Sequence, residues 1–173
     1  MTAAILRNGE ISSDDWTVIE DGRTEIEAGG GKVIVTLARW RAEREALLAR
    51  HAAVGVLVPN TADIEAVYPE IADRMVLALQ FPAFADWRAL SQAVVLRKRL
   101  GYGGELRAVG DVIRDLVFWL GRCGFDCIVP RGDQNLQACR EALREITVAY
   151  QAAADGHTPV WVRRRGRGTA TAP

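Results

Sequence analysis

The sequence predicts a single α/β domain built around a mainly parallel sheet. Three observations lead there. Short β-branched or apolar runs alternate with longer segments whose apolar residues recur at helical spacing, the order expected when helices cover a parallel sheet. One of these runs, Met75 to Phe81, is apolar apart from Gln80, as a strand covered on both faces requires. A chain of 173 residues fills one well-buried core and is short for two. The alternation fits an open doubly wound sheet best, with an incomplete barrel-like sheet as the second arrangement, because strand order is not encoded in local patterns.

Residues 1–31 read as an N-terminal preface: a strand from Ala3 to Leu6, an Asn8-Gly9 hairpin signal, a strand near Trp16 to Ile19, then Gly29-Gly30-Gly31. The α/β domain spans residues 32–154. Its first strand is the β-branched run Lys32 to Thr36, followed by a helix marked by Leu37, Trp40, Arg44, Leu47 and Leu48. Gly55 to Val58 is the next strand; Thr61 or Asp63 then caps a short helix that Pro69 interrupts, since its ring removes a donor and crowds the preceding turn.

Pro82 ends the strand Met75 to Phe81, and Asp86 is placed to cap a helix that buries Leu90, Ala93, Val94, Leu96 and Leu100. Arg97, Lys98 and Arg99 in its last turn complement the helix dipole. After Gly101-Tyr102-Gly103-Gly104 come the strand Glu105 to Val109 and a helix opened by Gly110-Asp111, with Val112, Ile113, Leu116, Val117 and Leu120 inward. Phe125 to Val129 is the last strand, and Leu136, Cys139, Leu143, Ile146 and Tyr150 mark a closing helix. Residues 155–173 form a basic tail, Arg163-Arg164-Arg165 and Arg167 among them, too poor in apolar residues to fold and expected to be solvated and flexible.

Twenty-two basic and 22 acidic side chains cancel, so no overall field draws the chain to nucleic acid or an anionic membrane. A nucleic-acid partner is not expected, because the basic tail stands without a wider basic surface or an RNA-binding module. No apolar run approaches the ~20 residues of a membrane span and no secretory segment opens the chain, which reads as cytoplasmic. Cys123, Cys127 and Cys139 have neither a redox-pair nor a zinc spacing and read as buried thiols; His51 and His157 stand alone. Both glycine runs precede strands, whereas a phosphate loop follows one, so no cofactor is evident and no metal site is expected.

The ends of the strands 75–81, 105–109 and 125–129 fall on one rim, where α/β proteins place their sites. Asp86, Arg88, Asp111 and Arg114 are the residues expected to converge there, with Ser91 and Gln92 as hydrogen-bonding neighbours. An Arg beside a helix N-terminus suits a small anion, with Arg88, Arg107 and Arg114 as clamps and Asp111 as the candidate general acid or base. The plainer reading makes Asp111 a helix N-cap paired with Arg114, one turn away. Glu105 and Arg107 alternate with Leu106 and Ala108, so they share a face and are expected to pair.

The pattern Phe81-Pro82-x-Phe84-x-Asp86-x-Arg88, then Ser91-Gln92-Ala93, then Arg97-x-Arg99-Leu100-Gly101-Tyr102-x-Gly104-Glu105-Leu106-Arg107-Ala108-Val109-Gly110-Asp111-Val112-x-Arg114-Asp115, resembles a bacterial domain family of unknown function. Arg122-Cys123-Gly124-Phe125-Asp126 and Tyr150-Gln151 extend the resemblance, which covers roughly residues 32–151. That family is commonly encoded beside assimilatory sulfite or nitrite reductase genes and is often labelled a probable oxidoreductase of sulfite reduction. The resemblance implies an accessory role beside the sulfite/nitrite reductase haemoprotein subunit, by docking, assembly, or substrate or electron delivery. The alternative is a small α/β enzyme, an oxidoreductase if the family label holds, acting on an anionic sulfur or phosphate metabolite. This chain departs from the pattern at Trp87, where a glycine is usual, and at Cys127-Ile128, where a small and an aromatic residue are usual.

Overall fold

The computed structural model describes residues 4–19, 21, 31–50 and 53–167. Among the described residues eight strands form one sheet: β1 (Ala4–Arg7), β2 (Glu10–Ser13), β3 (Trp16–Ile19), β4 (Lys32–Thr36), β5 (Val54–Val58), β6 (Val76–Phe81), β7 (Glu105–Gly110) and β8 (Cys127–Ile128). The helices are α1 (Leu37–Leu48), α2 (Ile64–Ile71), α3 (Arg88–Lys98), α4 (Arg114–Cys123), α5 (Leu136–Ala142) and α6 (Val160–Arg167).

The strand order is β2-β1-β8-β7-β6-β5-β4-β3, and β3 to β8 run parallel. The order from β3 to β8 never reverses. Right-handed crossovers then carry the intervening helices to one face, so the arrangement is the incomplete barrel and not the doubly wound sheet, which needs a reversal. The N-terminal preface is part of this sheet. The Asn8-Gly9 turn, with positive φ at both residues, folds β2 back on β1, and β1 pairs antiparallel with β8, while β3 adds to β4 at the opposite edge.

The two edge strands are consecutive in the chain, β2 ending at Ser13 and β3 starting at Trp16. Eight strands laid flat would separate their edges by about 34 Å, whereas a link this short spans at most roughly 11 Å. The sheet must therefore curl. The ion pairs agree: Asp15, in the link, meets Arg7 of β1 and Lys32 of β4, at opposite sides of the opening.

Alternation sorts each strand between two cores. Val33, Val35, Val56, Leu77, Leu79 and Leu106 pack outward against helix residues such as Trp40, Val67, Leu96 and Leu116. Ile34, Val76, Ala78 and Val109, joined by Trp16, Leu57 and Val129, line the concave face. Asp63 caps α2 and accepts from Glu65 and Ala66 N–H groups; the helix runs two residues past Pro69 to Ile71, whose burial in the core outweighs the lost donor. Val94 is exposed on α3. The closing helix is shorter than its apolar spacing suggests, ending at Ala142 and leaving Ile146 and Tyr150 exposed, because no core lies opposite them. Within the basic tail α6 runs from Val160 to Arg167; residues beyond it, like Gly29, Gly30 and His51, lie outside the described residues.

Candidate functional site

The loops after β6, β7 and β8 meet at the C-terminal rim of the barrel, and Asp111 joins them. Gly110 leaves β7 with φ 104°, a conformation that favours glycine, and a Cβ there would lie 2.3 Å from the Phe81 carbonyl oxygen. That close crossing lets Asp111 N–H donate to Phe81 O at 2.7 Å and turns the Asp111 side chain across the rim. Its Oδ2 accepts from Phe84 N–H at 2.8 Å and its Oδ1 from Arg131 Nη1 at 2.5 Å. Asp111 is therefore not the N-cap of α4, whose cap position is Ile113 with no side-chain cap bond.

The expected partner Arg114 turns away, to Glu145 and, at 3.6 Å, to Asp115. Arg131 takes its place. Its Nε and Nη2 also donate to Asp133, each at 2.8 Å, and this fork holds the Asp133 carboxyl well below the usual carboxylate range. Asp86 likewise serves its own loop: Arg88 donates to it from Nε at 2.9 Å and Nη2 at 2.5 Å. These bonds from Arg88 keep the Asp86 carboxyl low. α3 begins at Arg88 without a side-chain cap bond, so Asp86 is not its cap.

Between the two ion-pair groups stand Phe84 and Trp87. The loop is pinned by Asp111 at Phe84 N–H, and Trp87 Nε1 donates to Phe84 O at 2.7 Å, yet the two residues remain 41% and 45% exposed. A rigid backbone thus presents two aromatic surfaces to solvent. Ser91 is exposed on α3. Gln92 is buried and donates to Pro59 O at 3.1 Å and Ala62 O at 2.9 Å, bracing the loop after β5.

Arg107 lies apart from the rim, on the concave face. It donates to Glu105 at 2.5 Å and to both oxygens of Asp14 at 2.9 and 3.0 Å, and it stacks over Trp16. Burial raises the thiols of Cys123 and Cys139 and pushes Cys127 to about 12, against the pull of Arg107, so none is a ready thiolate. Among the described residues no cluster of three or more His, Cys, Asp or Glu has a metal-holding arrangement, and no helix is long and apolar enough to cross a membrane.

The densest part of the motif builds the opposite end. Arg97 donates to the carbonyls of Gly124 (2.9 Å), Tyr102 (2.6 Å) and Gly104 (2.9 Å), and pairs with Asp126. Asp126 also accepts from Leu106 N–H at 2.8 Å, and the buried Tyr102 hydroxyl donates to Arg74 O at 3.1 Å. These residues fasten the α3-to-β7 and α4-to-β8 turns at the N-terminal ends of the strands.

A family model described as a bacterial protein of unknown function, DUF934, matches residues 55–161. The chain belongs to this family. The match takes in both the Arg97 clamp and the Asp111 rim; β1 to β4 and α1 lie outside it, although a resemblance from residue 32 onward was expected. No curated protein and no solved structure matches the chain.

Arg131 and Asp133 escape the sequence reading. Pro130-Arg131-Gly132-Asp133 follows β8 much as Gly110-Asp111 closes β7, and that repeated polar turn after a parallel strand was the available signal. Asp14, the partner of Arg107 from 93 residues away, leaves no local signal.

Proposed function

We propose that this DUF934 protein is a cytoplasmic accessory protein of assimilatory sulfite reduction, supporting the sulfite reductase haemoprotein subunit by docking on it through the C-terminal rim. The observation that carries the docking reading is the pair of exposed aromatics, Phe84 and Trp87, on a loop pinned by Asp111 and flanked by ion pairs. Aromatic anchors inside a polar rim are the usual anatomy of a protein interface, and a loop already fixed loses little freedom on binding. Trp87, where the family pattern has glycine, adds to that anchor. The pathway rests on the resemblance of the Phe81 to Asp115 motif.

The alternative, an enzyme clamping an anionic metabolite with Arg88, Arg107 and Arg114, receives less support from this geometry. Arg107 is on the concave face and Arg114 faces Glu145, while Arg88 is neutralised by Asp86. Deleting the gene tests the pathway. Growth on sulfate or sulfite is impaired while growth on cysteine or sulfide is normal; normal growth on every sulfur source in a strain with no second copy overturns the assignment.

A further inference from the structure

The concave face opens at the C-terminal ends of β4 to β7 into a cavity of about 660 Å3, separate in chemistry from the rim loops. Its size is that of a small-molecule site, and the ends of parallel strands are where barrel-like folds hold ligands. The wall is apolar, formed by Val18, Leu57, Pro59 and Val109. Gln80, Thr36, Asp21 and Arg41 interrupt it.

Gln80 projects from the central strand β6, paired in the ladder with Val109 and half-buried. Its amide makes no hydrogen bond among the described residues. The amide is open to the cavity, not sealed in the core, so it can meet a ligand, and an amide presents a donor and an acceptor side by side. Across the cavity, Thr36 donates its hydroxyl to Asp21 Oδ1 at 2.6 Å, which leaves Oδ2 with no partner among the described residues. Thr36 is level with Ala78 through Leu57 of β5, and Gln80 lies two residues further along β6, so the two stand about 12 Å apart. The cation in the lining, Arg41, is spent on Glu70 through two bonds of 2.8 and 2.7 Å.

We infer that this mouth binds an uncharged nucleoside-like ligand, its planar base pairing with the Gln80 amide and its hydroxyls donating to Asp21. The spacing places the flat body over Leu57 and Pro59. Glutamine is suited to the paired donor and acceptor on a base edge, and a carboxylate is suited to sugar hydroxyls. Asp21, with Arg41 already neutralised, disfavours a phosphate at the same place. The inference needs no partner protein and stands apart from the docking reading.

Calorimetric titration of the full chain with adenosine, guanosine, cytidine and uridine tests it. At least one binds, one per chain, in the millimolar range or tighter. Gln80→Leu, which keeps the wall apolar, weakens that binding at least about tenfold, and Asp21→Asn weakens it about fivefold. The 5′-monophosphate of the same nucleoside binds no more tightly than the nucleoside. Absence of binding by all four, unchanged affinity in Gln80→Leu, or tighter binding of the monophosphate overturns the inference. Should Gln80→Leu fail to fold, unchanged affinity in the surface variant Asp21→Asn overturns it equally.

Discussion

The two ends of the barrel draw on one stretch of sequence and hold their charges in opposite ways. At the N-terminal end Arg97 is 15% exposed and spends its guanidinium on three main-chain carbonyls and Asp126. At the C-terminal end Arg131 is 48% exposed and ties two carboxylates and a loop at the surface. The first arrangement fixes turns that the core depends on; the second fixes loops while leaving Phe84 and Trp87 in water. Charged residues cluster in both, and what separates a clamp from a contact surface is whether the partner is buried main chain or another surface side chain.

The sharpest way to break this contrast is Arg97→Met. It strands Asp126 and three carbonyls, and unfolding in urea should show a loss of about 3 kcal/mol; a loss below about 1 kcal/mol would make the two ends equivalent. Alkaline pH gives the next largest effect. Burial raises the Tyr102 hydroxyl and raises the Cys127 thiol from 9.0 to about 12. Their contribution is complete below the unfolded values and is lost as pH rises toward the folded ones. Stability should fall by about 1–2 kcal/mol between pH 8 and pH 10, and Tyr102→Phe should flatten the upper part of that decline. At the rim, Phe84→Ala combined with Trp87→Ala should change stability by less than about 1 kcal/mol, since the rings are already exposed. Asp111→Asn should cost least, under about 1 kcal/mol in the same urea unfolding, because Asn keeps an acceptor for Phe84 N–H and loses only a surface ion pair; its cost should appear as faster hydrogen exchange at Phe84.

Local chemistry made most of the elements legible. Lys32 to Thr36 is a strand because β-branched residues fit a pleated surface, and the helix that follows begins where Thr36 caps it. The direction of winding was not legible, because it resides in strand order; only the two-residue link between β2 and β3, once both are known to be sheet edges, forces the curl. The rim was legible as a place but not as a set of contacts. Asp86 and Asp111 were expected to cap helices, yet both serve loops, since a carboxylate after a strand can satisfy a neighbouring loop N–H as readily as a helix end. Arg114 and Arg131 lie at similar distances in sequence from strands that end on the rim, and only the packed structure tells which one meets Asp111.

The most direct test of the central claim is a binding titration of the purified chain against the sulfite reductase haemoprotein subunit, with rim and clamp-end variants side by side. The account predicts that Phe84→Ala with Trp87→Ala weakens binding at least about tenfold, whereas Lys32→Ala, at the opposite mouth, leaves it unchanged. Wild-type affinity in the rim variant, or no binding by the wild-type chain, would contradict it.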